Sequence, residues 1–264
     1  MIEALARLDI LGEASRFALV LLRTGGLVVF CPVLGADILP ARIRVSLAVA
    51  LALVMLPIAP SLVVPPADAV SWTIVAIREL AVGVGLGFAA RALFAGIEAA
   101  AALVAGQSGF SLASMVDPLT GDQGMVTILF QNLMATSLFL AANLHHVFIA
   151  GLRDSYEWLP PAVALPSARH LDQVVGLLGM RMFTVAVELA APALVVTFAV
   201  DLVMVLVGRA LPQIQILTVG YPAKMAAGIV ALALLASATG SAIGWMGRTF
   251  ASDGAAIVAA LAGR

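Results

Sequence analysis

Six long apolar segments constrain this chain more than any motif does. They run at about 14–34, 43–64, 73–105, 126–150, 182–208 and 225–246. A helix needs about 20 apolar residues to cross the hydrocarbon core of a bilayer, and each segment meets or approaches that length. Hydrocarbon offers no partner for free backbone amides, so segments of this kind must satisfy their own backbone as helices. Composition supports the same conclusion: 62% of residues are hydrophobic and 11% are charged, against about 25% charged in an average soluble domain. The expected fold is an all-α integral membrane protein. Its six or so helices are arranged in hairpins, some broken by Pro or Gly. Pro57 and Pro60 interrupt the second segment near its end, and Pro192 is expected to break the fifth.

What remains is too small for a soluble domain. Arg153–Arg181 is the most polar stretch, with Pro160, Pro161 and Pro166 arguing for an extended connector. Tyr156 and Trp158 fit an interfacial aromatic belt. Glu3, Asp9 and Glu13 make the first residues a poor match to a cleavable signal peptide, so the first apolar segment is expected to stay. With six spans, one side would hold Arg7, Arg153, Arg169, Arg248 and Arg264, and the other Arg42, Arg44, Arg209 and Lys224. That asymmetry is too small to set orientation.

Gly106–Met125, GQSGFSLASMVDPLTGDQGM, separates two of the apolar segments. Such a polar, glycine-rich backbone cannot face lipid; it must line water, sit at an interface or pack on protein. Pro118 disfavours helix at Asp117, and Gly106, Gly109, Gly121 and Gly124 make the segment pliable. It is either a surface turn or a gate, and about 20 residues is long for a passive connection. Met115, Met125 and Phe110 could fill an irregular orifice and still yield to something that passes.

Charged residues inside the apolar segments are the second informative feature. The third segment carries Arg78, Glu79, Arg91 and Glu98; Arg181 flanks the fifth, which contains Glu188 and Asp201. Arg91 and Glu98, like Arg181 and Glu188, stand two helical turns apart, about 10 Å along the axis, and so should pair with other helices. They are expected to be buried, either as structural ion pairs for packing or as a proton relay or substrate site. Glu79, Gly83, Gly87, Arg91 and Ala95 recur every four residues, a ridge that lets helices approach closely.

Chemistry is inconspicuous. There is no phosphate-binding GxxxxGK[ST], HExxH, GxSxG or CxxC pattern. The adjacent His145 and His146 cannot chelate one metal as an i,i+4 pair can, and a helix-end pair bonded to Asn143 or a carbonyl is the simpler reading. Cys31 is the only cysteine, which excludes an internal disulfide. Net charge is −1 with no basic face, so nucleic acid is not a partner. No catalytic residue, metal site or cofactor is expected.

The ordered set REL…VGVGLGFAAR, the VDP loop, FLAANLHHVFIAGLRDSYEWLP and ALPQIQILTVGYPAKMAAGI resembles the FliR family of flagellar biosynthetic proteins. These are the R subunits of the type III export gate and are related to the T subunit of virulence injectisomes. The resemblance covers nearly the whole chain and is weakest in the first ~40 and last ~20 residues. It implies a conical, helical assembly with P and Q gate subunits, five to four to one of this chain, that conducts unfolded export substrates. It implies a bacterial inner-membrane location within the flagellar basal body. Further implied contacts are the large export-apparatus membrane protein, a B-type gate subunit, basal-body ring and rod proteins, and lipid. A P-like part would cover about 1–170 and a Q-like hairpin about 180–264, with Pro212, Gln213, Tyr221 and Pro222 at the hairpin turn and a partner contact. Gly106, Gly109, Phe110, Met115, Val116, Asp117, Pro118, Gly121 and Met125 would close the pore beside a methionine-rich constriction. This segment offers only Met115 and Met125, which either join such a gasket or merely pack.

The alternative is a small-molecule or proton-coupled secondary transporter using Glu98, Glu188 and Asp201, with helices interrupted at Pro57 and Pro192. Such folds carry internal symmetry, and no convincing match links 1–130 with 131–264. An intramembrane enzyme would need a paired catalytic constellation, and none is visible.

Overall fold

The computed structural model describes residues 10–33, 39–60, 68–108, 123–160, 168–211 and 216–261, and these are helical apart from short turns. In chain order the helices are α1 (Ile10–Phe30), α2 (Ala41–Met55), α3 (Ala69–Gln107), α4 (Gln123–Ala141), α5 (Leu144–Trp158), α6 (Ala168–Ala210) and α7 (Ile216–Leu261). Three of them, α3, α6 and α7, contain stretches long and apolar enough to cross a membrane. A fourth span results if α4 and α5 form one broken crossing. At 1.5 Å per residue α3, α6 and α7 run about 58, 64 and 69 Å, roughly twice a hydrocarbon core of about 30 Å. Helices of this length project well beyond one bilayer thickness.

Local sequence explains most boundaries. Ser71 donates its hydroxyl to Asp68 at the start of α3, leaving the acidic side chain beside the positive end of the helix. Pro40 precedes α2 with φ −54°, where its missing amide costs nothing. Two residues before Pro57, α2 stops, only 15 residues long and shorter than the 43–64 segment suggests. Between α4 and α5 the chain breaks at Asn143, whose φ of 55° is a left-handed conformation that Asn tolerates. The single segment expected at 126–150 is therefore two helices, and the histidine pair opens the second one.

Two expectations are corrected. Pro192 and Pro222 lie inside α6 and α7, which continue through them; proline removes only one ladder bond, and neighbouring groups can offset that loss in apolar helices. Most of the polar stretch 153–181 is helical rather than extended, since α5 runs to Trp158 and α6 starts at Ala168; Pro161 and Pro166 lie outside the described residues.

The chain divides into two compact units. The first contains α1, α2, α3 through Arg91, α5 from His145, α6 through Leu178 and the end of α7 from Arg248. Here α1 and α3 lie backbone to backbone. A Cβ added to Gly83 would stand 2.0 Å from the Arg23 carbonyl oxygen, and one on Gly26 2.7 Å from the Val84 nitrogen. Gly87 meets the Leu27 carbonyl at 2.8 Å in the same sense. The Glu79, Gly83 and Gly87 part of the four-residue ridge on α3 is thus a seam for α1.

The second unit contains α3 from Ala92, α4, α6 from Gly179 and α7 through Gly247. Gly96 brings α3 against α6, with a virtual Cβ 2.9 Å from the Met182 carbonyl. Phe94 and Phe139 meet edge to face at 5.4 Å. Gln131, fully buried, donates to Thr239 and ties α4 to α7.

Candidate site: the glycine-rich segment and the charged helix faces

Both ends of the central segment lie in helix. Gly106 lies in the last turn of α3, with nothing within 4 Å of a virtual Cβ. The helix ends as Ser108 turns back, its amide and hydroxyl both donating 2.9 Å bonds to the Val104 and Ala105 carbonyls. Met125 lies in the first turn of α4. Gly109, Phe110, Met115, Val116, Asp117, Pro118 and Gly121 lie outside the described residues, as do Pro212 and Gln213. Beside Gln107 is a groove of about 370 Å³ lined by Leu194, Val195, Thr197 and Phe198 of α6. The last residue of α3 therefore lies next to an uncovered apolar face of α6.

The charged residues divide into two classes. Arg78 and Glu79 are buried, 1% and 0% exposed. The partner of Glu79 is a residue that sequence reasoning missed. Arg23 on α1 grips Glu79 with Nε–Oε2 at 2.7 Å and Nη2–Oε1 at 2.9 Å, a two-pronged guanidinium–carboxylate pair. The same guanidinium donates to the Ser155 carbonyl at 3.1 Å and the Leu159 carbonyl at 2.9 Å. It also stacks over Tyr156, 4.2 Å from the ring centroid, adding a cation–π contact. Arg78 donates to the Pro160 carbonyl at 2.7 Å. Arg16 likewise donates to the Leu56 and Ala59 carbonyls past the end of α2. Three arginines thus donate to carbonyls at or just past helix ends, where positive charge is favoured. The signal for Arg23 was present, since it is the only charged residue between Phe17 and Val33.

The other five residues expected to be buried are not buried by this chain. Arg91 and Glu188 are exposed; Glu98, Arg181 and Asp201 are half-buried. Asp201 pairs with Lys224 of α7, with Nζ 2.9 Å from Oδ1. The cause is coverage: 61% of the most apolar stretch of α3 is buried, but only 17% of that of α6 and 33% of that of α7. Phe183, Val187, Val195, Phe198 and Val205 are all more than half exposed on α6. Tyr221 and Pro222 lie within α7 rather than at a turn. His145 and His146 stack 4.2 Å apart at the head of α5, and among the described residues no group of three or more potential ligands could hold a metal.

Residues 14–247 match the family model for bacterial export proteins, family 1. The chain is 32% identical over 235 residues to the flagellar biosynthetic protein FliR of Caulobacter vibrioides, covering 88% of this chain and 91% of that one. It is 29% identical over 220 residues to FliR of Bacillus subtilis, covering 82% and 84%. A Yersinia pestis relative, the Yop proteins translocation protein T, is 25% identical over 213 residues, covering 80% and 81%. Together with its apolar helices, these matches make the chain an inner-membrane component of a flagellar or type III export apparatus. It belongs to the bacterial export proteins, family 1.

Proposed function

We propose that this chain is the single-copy structural and gating subunit of a flagellar type III export gate, with an assembly role rather than an enzymatic one. The observation that carries the reading is the uncovered state of α6, an apolar helix about twice as long as a bilayer core is thick. A face that bears Glu188 among exposed Val and Phe side chains is costly against lipid alone and suits protein neighbours. P and Q gate subunits would supply them, in the five-to-four-to-one complex, with the large export-apparatus protein, the B-type subunit and basal-body ring and rod proteins beyond. Residues 1–170 would act as the P-like part and 180–264 as the Q-like hairpin.

Closure falls to the stretch between α3 and α4. Its two ends are anchored in helix at Gln107 and Gln123. Continuity of α6 through Pro192 removes one of the two helix breaks, Pro57 and Pro192, on which a small-molecule transporter would rest.

Co-expression of the tagged chain with P and Q subunits, followed by native mass determination, tests the assembly. One copy of this chain in a defined hetero-complex is expected, and a stable homo-oligomer or monomer that ignores both partners overturns the proposal. Deleting Gly109–Pro118 should preserve that complex and raise its ion conductance in planar bilayers. Unchanged conductance would remove the closure role while leaving the assembly role standing.

A further inference from the structure

Within the second unit, α6 and α7 enclose a half-open groove of about 400 Å³ lined by Val185, Glu188, Leu189, Ala238, Ser241, Ala242 and Trp245. One wall presents i, i+3 and i+4 positions of α6. The other presents Ala238, Ser241, Ala242 and Trp245, the i, i+3, i+4, i+7 pattern of a face built to receive another helix. Small side chains on α7 keep that wall shallow, and Trp245 closes one end.

Glu188 is the exception in this groove. It lies four residues before the midpoint of the apolar Val174–Ala210 span, about 6 Å along the axis, in surroundings where an unpaired carboxylate is costly. Among the described residues it has no hydrogen-bond or ion-pair partner. Of the other basic residues of α6 and α7, Lys224 holds Asp201 at 2.9 Å, and Arg181 has interactions of its own. A second acceptor lies on the same residue. Pro192 has no amide to give to the carbonyl four residues earlier, so the Glu188 backbone oxygen is deprived of its ladder donor. Carboxylate and carbonyl together call for a cation with several N–H donors.

We infer that this groove receives a helix of another membrane subunit, and that an arginine or lysine on that helix pairs with Glu188. The inference rests on the assembly role proposed above and specifies the chemistry of one of its contacts. A guanidinium fits better than an ammonium, because its fork can serve both acceptors at once. The apolar flanks Val185 and Leu189 would then pack against the stem of that side chain and the neighbouring turn.

The test places the photoreactive residue p-benzoylphenylalanine at Ser241 in the full chain, in cells that make the rest of the apparatus. After irradiation, adducts are purified through the tag and mapped by mass spectrometry. The expected adduct lies on a membrane helix of another export subunit, within one turn of an Arg or Lys. Glu188→Lys should reduce it at least ten-fold, and reversing the mapped basic residue to Glu should restore it. Glu188→Gln, which keeps the shape and helical fold, should reduce it less and serves as the folding control. Adducts only to lipid, adducts only to a second copy of this chain, or an adduct undiminished by Glu188→Lys each overturn the inference. If other export subunits still co-purify with the wild-type chain in those cases, the assembly role stands without this contact. If none co-purifies, the assembly role fails, and the inference fails with it.

Discussion

Arg23 and Glu79, 56 positions apart in sequence, form a fully buried two-pronged ion pair whose two bonds measure 2.7 and 2.9 Å. Arg23 reaches onward to the Ser155 and Leu159 carbonyls, so one guanidinium joins α1, α3 and the end of α5. Removing one partner strands the other charge, so Glu79→Leu or Arg23→Leu alone should cost about 3–5 kcal/mol. The double apolar variant should recover much of that loss, but not all, because the Leu159 carbonyl still loses its donor, whereas the Ser155 carbonyl keeps the Leu159 amide. Denaturant unfolding of the detergent-solubilised complex, run as a double-mutant cycle, checks this. Additive single losses would mean that the pair is not a coupled unit.

Gly83 is where α1 and α3 are closest, a virtual Cβ falling 2.0 Å from the Arg23 carbonyl. Backbone cannot yield as a flexible side chain can, so Gly83→Ala should force the helices apart and cost about 1–3 kcal/mol. It should also weaken the Arg23–Glu79 pair, since the same turn of α1 carries both contacts. Gly106→Ala is the control: it too is helical but has open space, and should be neutral or stabilising by up to about 1 kcal/mol. Thermal shifts of the two variants against wild type, measured side by side, decide the point.

The distinction between these glycines explains what could be read from sequence. Apolar run length and scarcity of charge are local properties, so the helices, the membrane class and the α3 ridge were legible. Arg23 was not singled out, because its meaning depends on Glu79 and Ser155, residues far away in sequence. Arg91, Glu98, Arg181, Glu188 and Asp201, expected to be buried against protein neighbours, are not covered by this chain itself. Hydrophobic surroundings in sequence look the same whether the chain or a neighbour covers them, and only three-dimensional coverage showed that Glu188 and Arg91 lie on uncovered faces. Pro192 was read as a break because its effect on one hydrogen bond is local, whereas a helix of 43 residues is held by many.

At the head of α3, the Asp68 carboxylate is held below its usual range of about 3.8, chiefly by the Ser71 hydroxyl and with help from the Ser71 and Val70 amides. A depressed folded-state pKa stabilises the folded form above the unfolded value, and that contribution disappears as pH falls through the folded value. The first turn of α3 should therefore keep its amide protection at pH 5–7 and lose it below about pH 4. Hydrogen exchange at Val70 and Ser71, corrected for intrinsic rate, reads this directly. Asp68→Asn keeps a capping oxygen but cannot titrate, and should abolish the pH step. A step that persists in that variant would assign the effect to another group.

Asp201 and Lys224 join α6 to α7 at 2.9 Å, with side chains 37% and 25% exposed. An ion pair this open in water contributes only about 0–1 kcal/mol, so Lys224→Met should barely change the stability of the isolated chain. In an apolar setting the unpaired Asp201 carboxylate is far more costly, and the same variant should sharply reduce recovery of the assembled complex. If the pair is structural, Asp201→Asn combined with Lys224→Met removes both charges and restores recovery and export together. If recovery returns while export driven by the proton gradient does not, Asp201 takes part in coupling and its ion pair with Lys224 is a resting state. Quantifying complex yield and export rate for the three variants separates these cases, because packing moves both readouts and proton coupling moves only the second.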